Sequence, residues 1–310
     1  MNTFWDPLTG QVTNEEMERI EEKNKQIQSE YEKLKLNHKR FKLKLFLSIF
    51  FCFLTVLLVT RLILILNMPE EAQEFLIVIG WSSAIPIFFV LGKPFVLQRR
   101  MSSYIVANKF GWLCDPNKNT AKWKQLSSKY PEIFLFNNGG NQLLANQFWG
   151  ILNDKRFWIT NYLSSHGPNF LVHAFELPTT TITDLLIIQR VKGIPYPDEL
   201  TTESNEFNKK FHIKFKGERE LEGANIMQIL APDVQESLIS FADTHNTVRI
   251  LFRNNIVFIA FIDQLNLFNS NFLKTVSVDE KDEKIIIQNI QTVASLAKEI
   301  LDSFEHVQKI

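Results

Sequence analysis

Cysteine is nearly absent from this chain, with two in 310 residues. That excludes a disulfide framework and suits a reducing compartment. An excess of one charge is absent too: Lys+Arg and Asp+Glu stand at 34 each. No global field therefore draws the chain to nucleic acid or to an acidic substrate. Trp112, Trp123, Trp149 and Trp158 lack the interleaved basic stripe of a nucleic-acid binder, and no nucleic-acid partner is expected.

The motifs that carry chemistry are missing as well. Asn137-Asn138-Gly139-Gly140-Asn141 is glycine-rich but lacks the Gly-Lys-Ser/Thr ending of a phosphate loop, so it reads as a turn. His166 and His173 have no Cys or His at ligand spacing, and no zinc is expected. His173 falls within a strand pattern and reads as a sheet residue with satisfied polar atoms. There is no Gly-x-Ser-x-Gly elbow and no His-Glu-x-x-His. Glu176, Asp184, Asp233 and Asp263 are carboxylates that nothing in the sequence pairs. No catalytic residue, cofactor or metal ligand is expected.

Long apolar runs are what the chain does have. Leu45 to Leu66 and Phe75 to Leu97 are each about 20 residues or slightly more, enough for a helix of roughly 30 Å that crosses a bilayer core. Only eight residues, Asn67 to Glu74, separate them. The reading is a transmembrane hairpin over 45–66 and 75–97. The first run begins too late and is too long for a cleavable signal peptide.

Charge orients the hairpin. Lys33, Lys35, Lys39, Arg40, Lys42 and Lys44 precede it, and Arg99 and Arg100 follow it. The loop between the runs carries Glu70, Glu71 and Glu74 and no Lys or Arg. Positive flanks resist translocation, so both ends are expected in the cytoplasm and the bilayer is an expected partner. Arg61 lies inside the first run. An intramembrane charge is by default a functional candidate. At 1.5 Å per residue, its guanidinium is also within roughly 8 Å of the interface, where it snorkels.

Residues 1–44 form a polar segment with helical character. Thr13-Asn14-Glu15-Glu16 matches a capping box. Ile20, Ile27, Leu34 and Phe41 then recur at one heptad position, with Met17, Asn24, Tyr31 and His38 at the other. One reading is an association seam for a homo-oligomer or a protein partner. The other is a single amphipathic helix that runs into the first span or lies on the chain's own soluble domain.

Residues 98–310 mix patterns. SSYIVANKFGWL and TAKWKQLSSKY read as short helices, the second capped from Asn119-Thr120, while QLLANQFWGIL fits helix or strand. KRFWITNYL, PNFLVHAFELP, TITDLLIIQRV and FHIKFK read as strands. PDVQESLISFAD opens a helix on proline. TVRILFR and IVFIAFID flank a tight turn at Asn254-Asn255. Ile286, Ile290, Val293, Ala297, Ile300 and Phe304 form one stripe of a last helix that closes the core. The order predicts an α+β domain with a mainly antiparallel sheet. The proline-bearing polar stretch near 192–206 reads as a divider between two lobes.

One block resembles a bacterial family of two-span membrane proteins, domain of unknown function 3137. Phe207, Asn208, Phe211 and Ile213 fit its aromatic F-N-x-x-F strand. Leu230, Pro232 and Leu238 fit its L-x-P helix, and Arg249 to Ile262 its apolar hairpin. The resemblance implies this layout in a bacterial inner membrane, and it carries no activity or catalytic residue. The expected function is a membrane tether or adaptor that displays a cytoplasmic interaction domain. The alternative is a membrane-anchored enzyme or ligand-binding domain with a cleft between two lobes.

Overall fold

The structure, a computed structural model, describes residues 4–66, 103–134, 141–152, 154–164, 169–177, 184–191, 200–215, 230–262 and 280–307, with positions 74, 78, 82, 97, 100, 101 and 226. The chain divides into two units. One holds Met1–Glu21, Ser103–Asn269 and Glu280–Ile310; the other holds Glu22–Ser102 and Ser270–Asp279.

The second unit carries most of α1 (Asn14–Leu36) and all of α2 (His38–Leu66). Helix α1 starts where the capping box predicts, with the Thr13 hydroxyl accepting from the Glu16 amide at 3.2 Å. In α2 the window Phe46–Ile63 has a mean hydropathy of 2.4, and none of it is buried within the chain. The second apolar run, 75–97, lies outside the described residues apart from Val78, Ser82 and Leu97. One membrane-length helix is therefore described, and the hairpin is not.

The first unit is built on an eight-stranded sheet. In chain order the strands are β1 (Leu113–Asp115), β2 (Gln142–Leu152), β3 (Lys155–Ser164), β4 (Phe170–Glu176), β5 (Leu185–Gln189), β6 (Phe211–Phe215), β7 (Arg249–Arg253) and β8 (Ile256–Ile262). Their spatial order is β1-β2-β3-β4-β8-β7-β5-β6, and the pairings are antiparallel. The α+β class and antiparallel sheet hold. Strands β5 and β6 flank the 192–206 stretch yet pair with each other from Leu185↔Phe215 to Gln189↔Phe211. The strands on either side of that stretch therefore belong to one sheet, and residues 192–199 lie outside the described residues.

Helices cover both faces of the sheet. One face packs Phe207 of α5 (Asn205–Lys210), Val234, Leu238 and Phe241 of α6 (Pro232–Thr244), and Ile290, Val293, Ala297 and Ile300 of α7 (Glu280–Val307). The other packs Leu126 of α3 (Thr120–Lys129), Ile133 and Phe134 of α4 (Pro131–Phe134), and Trp5, Val12 and Ile20 from the N-terminal region. Double coverage explains why β4 and β8 are apolar almost throughout rather than alternating. The ambiguous QLLANQFWGIL is strand β2. Its register slips between Ala145 and Phe148, where Asn146 takes a φ of 51°, and this bulge erases the period of two.

Three local expectations meet their geometry. Asn119 caps α3 by accepting from the Lys122 amide at 2.9 Å. Pro232 opens α6. Asn254 and Asn255 turn the β7–β8 hairpin with φ of 52° and 59°, the left-handed pair that a tight two-residue loop requires.

Candidate functional site

The aromatic F-N-x-x-F element is helix before it is strand. Ser204 caps α5 by accepting from the Phe207 amide at 3.2 Å, and β6 begins only at Phe211. A Ser at the cap favours a helical turn over the strand that the family resemblance implies. Phe207 and Phe211 are buried with stacked rings 4.8 Å apart between centroids, which fixes the helix-to-strand corner.

Asn208 then organises the loop before the corner. Its Oδ1 accepts from the Thr202 amide at 2.9 Å, and its Nδ2 donates to the Thr202 carbonyl at 2.7 Å. The Thr202 hydroxyl reaches Gln235 Oε1 on α6 at 3.0 Å. Gln235 Nε2 in turn donates to the Leu230 carbonyl at 2.5 Å. This chain of bonds ties loop, α5 and α6 together and leaves a groove of about 500 Å³ between them. Glu203, Ser204, Glu206, Leu230, Pro232, Gln235, Glu236 and Ile239 line it. Its apolar contacts are Leu230, Pro232 and Ile239, and Glu203, Glu206 and Glu236 stand exposed along it. The arrangement suits an apolar side chain flanked by cationic groups.

Arg253 pairs with Glu132 at 2.8 Å and also with Asp184, joining β7 to α4 and to the start of β5. Glu176 pairs with Arg156 at 3.3 Å, and Asp233 sits in the first turn of α6. Asp263 and His166 lie outside the described residues. Burial, and then the charge of Asp115, push the Cys114 thiol well above its ordinary range, so it is no nucleophile at neutral pH. Among the described residues no three His, Cys, Asp or Glu converge as metal ligands.

His173 departs from its expected role. It is a sheet residue, fully buried, but neither ring nitrogen has a hydrogen-bond partner among the described residues. Its ring stacks on Phe175 and Phe261, with centroids 6.3 and 5.8 Å away. Burial first, and His245 second, lower its pKa to about 3, so the ring is neutral.

The seam residues part company. Ile20 is buried in the core with Trp5, Val12 and Leu126. Ile27 is buried too, while the side chains of Leu34 and Phe41 lie outside the described residues. Ile20 thus belongs to the core of the first unit. Arg61 is exposed on α2.

A further cluster has no local sequence signature. Asp6, from the segment before α1, forms an ion pair with Lys122 of α3, and Asp6 Oδ2 also accepts from Trp149 Nε1 at 3.0 Å. Lys122 Nζ lies 4.8 Å from the Trp149 ring centroid and 5.6 Å from that of Trp158. Asp6 is more than a hundred positions from the residues it meets here.

The family described as "Protein of unknown function (DUF3137)" matches residues 178–301. That range contains the groove and the elements that build it. The similarity to that family is confined to 178–301. Among solved structures, the mycobacterial trehalose monomycolate transport factor A, TtfA, is similar at 10% identity, with a TM-score of 0.35. The match covers 65% of this chain and 95% of that one. No curated protein matches.

Proposed function

We propose that this chain is a membrane tether or adaptor that displays its α+β domain at the cytoplasmic face of a bacterial inner membrane. The observation that carries the reading is α2. Phe46, Phe50, Phe51, Phe53 and Leu58 are half or more exposed on it. A contiguous apolar surface of this size is untenable in water and natural in lipid. The second run, 75–97, completes a two-span hairpin, and the lysine-rich flank before it keeps both ends in the cytoplasm. The groove between α5 and α6 is the docking surface of the displayed domain, and Leu34 and Phe41 extend association along the basic pre-membrane helix. The domain offers an apolar, acid-rimmed groove of a kind that takes a partner's side chain, which supports the adaptor reading.

The test is crosslinking in intact cells from photoreactive residues at Glu236 and, as a control, at Asp154 on the β2–β3 turn. A dominant foreign protein captured at Glu236 and not at Asp154 supports the reading. Equal, scattered capture at both positions overturns it. A reporter fused after Ile310 that is active outside the cytoplasm overturns the topology.

A further inference from the structure

The segment before α1 docks on the domain as a ligand docks in a site. Internally it is a closed turn: Gly10 donates to the Asp6 carbonyl at 2.8 Å, and Val12 donates to the Phe4 carbonyl at 2.9 Å. Asp6 Oδ1 accepts from the Leu8 amide at 3.0 Å. The segment is thus preorganised before it touches anything else. Its contacts with the domain come from far along the chain. Asp6 Oδ2 meets Lys122 and Trp149 Nε1, and the Tyr130 hydroxyl donates to the Pro7 carbonyl at 3.3 Å.

The socket is built for a carboxylate. Lys122 is buried, and the fully buried Trp149 and Trp158 lie within cation–π distance of its ammonium. Trp158 Nε1 is buried and has no acceptor among the described residues. Plain anchoring of the segment does not call for this. A buried ion pair is on average no more stabilising than well-packed apolar residues of equal volume. What it adds is selectivity for one charge in one place.

We infer that the Lys122–Trp149–Trp158 socket is a peptide-recognition site for a short segment of the form aromatic–Asp–Pro–apolar. The chain's own Trp5-Asp6-Pro7-Leu8 fills it in cis as a removable latch. A partner segment of the same chemistry takes the site when the latch leaves. This site lies apart from the groove between α5 and α6, and it stands whether or not that groove docks a protein.

The experiment uses the full chain in detergent micelles and a fluorescent peptide of sequence Phe4–Val12. The peptide is added to the wild-type chain and to a Trp5→Ala/Asp6→Ala chain, in which the latch is weakened and Lys122, Trp149 and Trp158 are retained. The expected result is saturable binding to the variant. The wild-type chain binds about tenfold or more weaker, and so does a peptide with Asn for Asp, since each loses a charge-assisted contact or meets the cis competitor. A variant that keeps its thermal transition but binds neither peptide, or both alike, overturns the inference. If the variant loses that transition, amide exchange on the wild-type chain decides. Exchange of residues 4–12 well ahead of β2 and β3 supports a latch that opens by itself. Exchange in step with those strands makes the segment part of the core and overturns it.

Discussion

Lys122 closes an ion pair on Asp6 although 116 positions separate them, and their side chains are only 8% and 2% exposed. Burial alone would raise the Asp6 carboxyl. The charge of Lys122, with hydrogen bonds from Lys122, Trp149 and the Leu8 amide, outweighs it and holds the group below its ordinary value.

Asp6→Asn leaves Lys122 charged and buried without a counter-charge, and is expected to cost about 3–5 kcal/mol. An Asp6→Leu/Lys122→Met double variant is expected to lose less than either single change. The pH dependence has a definite sign. The folded pKa lies below the ordinary 3.8, so the contribution is complete above that value and is lost as pH falls through the folded pKa. Denaturant titrations of the full chain, followed by tryptophan fluorescence, read all three effects.

His173 predicts a second and wider acid sensitivity. Its pKa of about 3 in the fold lies below the ordinary 6.5, so the unfolded chain binds the proton first. Stability is then full above about pH 6.5 and falls toward pH 3, with a slope approaching about 1.4 kcal/mol per pH unit. His173→Leu is expected to flatten that slope while changing stability at pH 7 little, because it removes two ring nitrogens from a fully buried apolar setting. A slope that persists in the variant sinks the assignment.

Gly150 is a packing requirement. A Cβ there would press on the Trp112 ring and lie 2.9 Å from Phe157 Cε1. Trp112 and Phe157 are themselves held edge to face, with centroids 4.9 Å apart. Gly150→Ala is expected to cost about 1–3 kcal/mol from overpacking, read as a lowered denaturation midpoint with unchanged slope.

The groove makes a functional prediction with a clean control. Glu203→Lys/Glu236→Lys changes two exposed side chains and should leave stability within about 0.5 kcal/mol per site. Capture of a partner from the groove should fall severalfold, since like charge then faces the cationic flanks that the site favours. Unchanged capture removes the acidic rim from recognition.

Local structure was the legible part. The Asn254-Asn255 turn, the Asn119 cap and the Pro232 helix start rest on residues within four positions of one another, and each holds. The family resemblance makes the F-N-x-x-F block a strand. The Ser204 cap, a competing local signal, makes it a helix first. Strand β2 stayed undecided because burial on both faces and the Asn146 bulge remove the alternation on which the reading depends. His173 was correctly placed in a strand, but the apolar ring stack around it comes partly from Phe261 on a strand far along the chain. For the groove, Asn208, Leu230 and Pro232 were visible as family positions. The bond from Thr202 to Gln235 that draws them together was not.

By itself, then, the sequence determined the apolar run of α2, the charges that flank it, the caps and turns, and the α+β class of the fold. All of these follow from side chains a few positions apart acting on one stretch of backbone. Only the tertiary structure decided that β8 sits between β4 and β7, that the strands flanking 192–206 belong to one sheet, that Ile20 packs into the domain core, and that Asp6 finds Lys122. Each of these depends on which distant segments exclude water together, and no window of neighbouring residues contains that information.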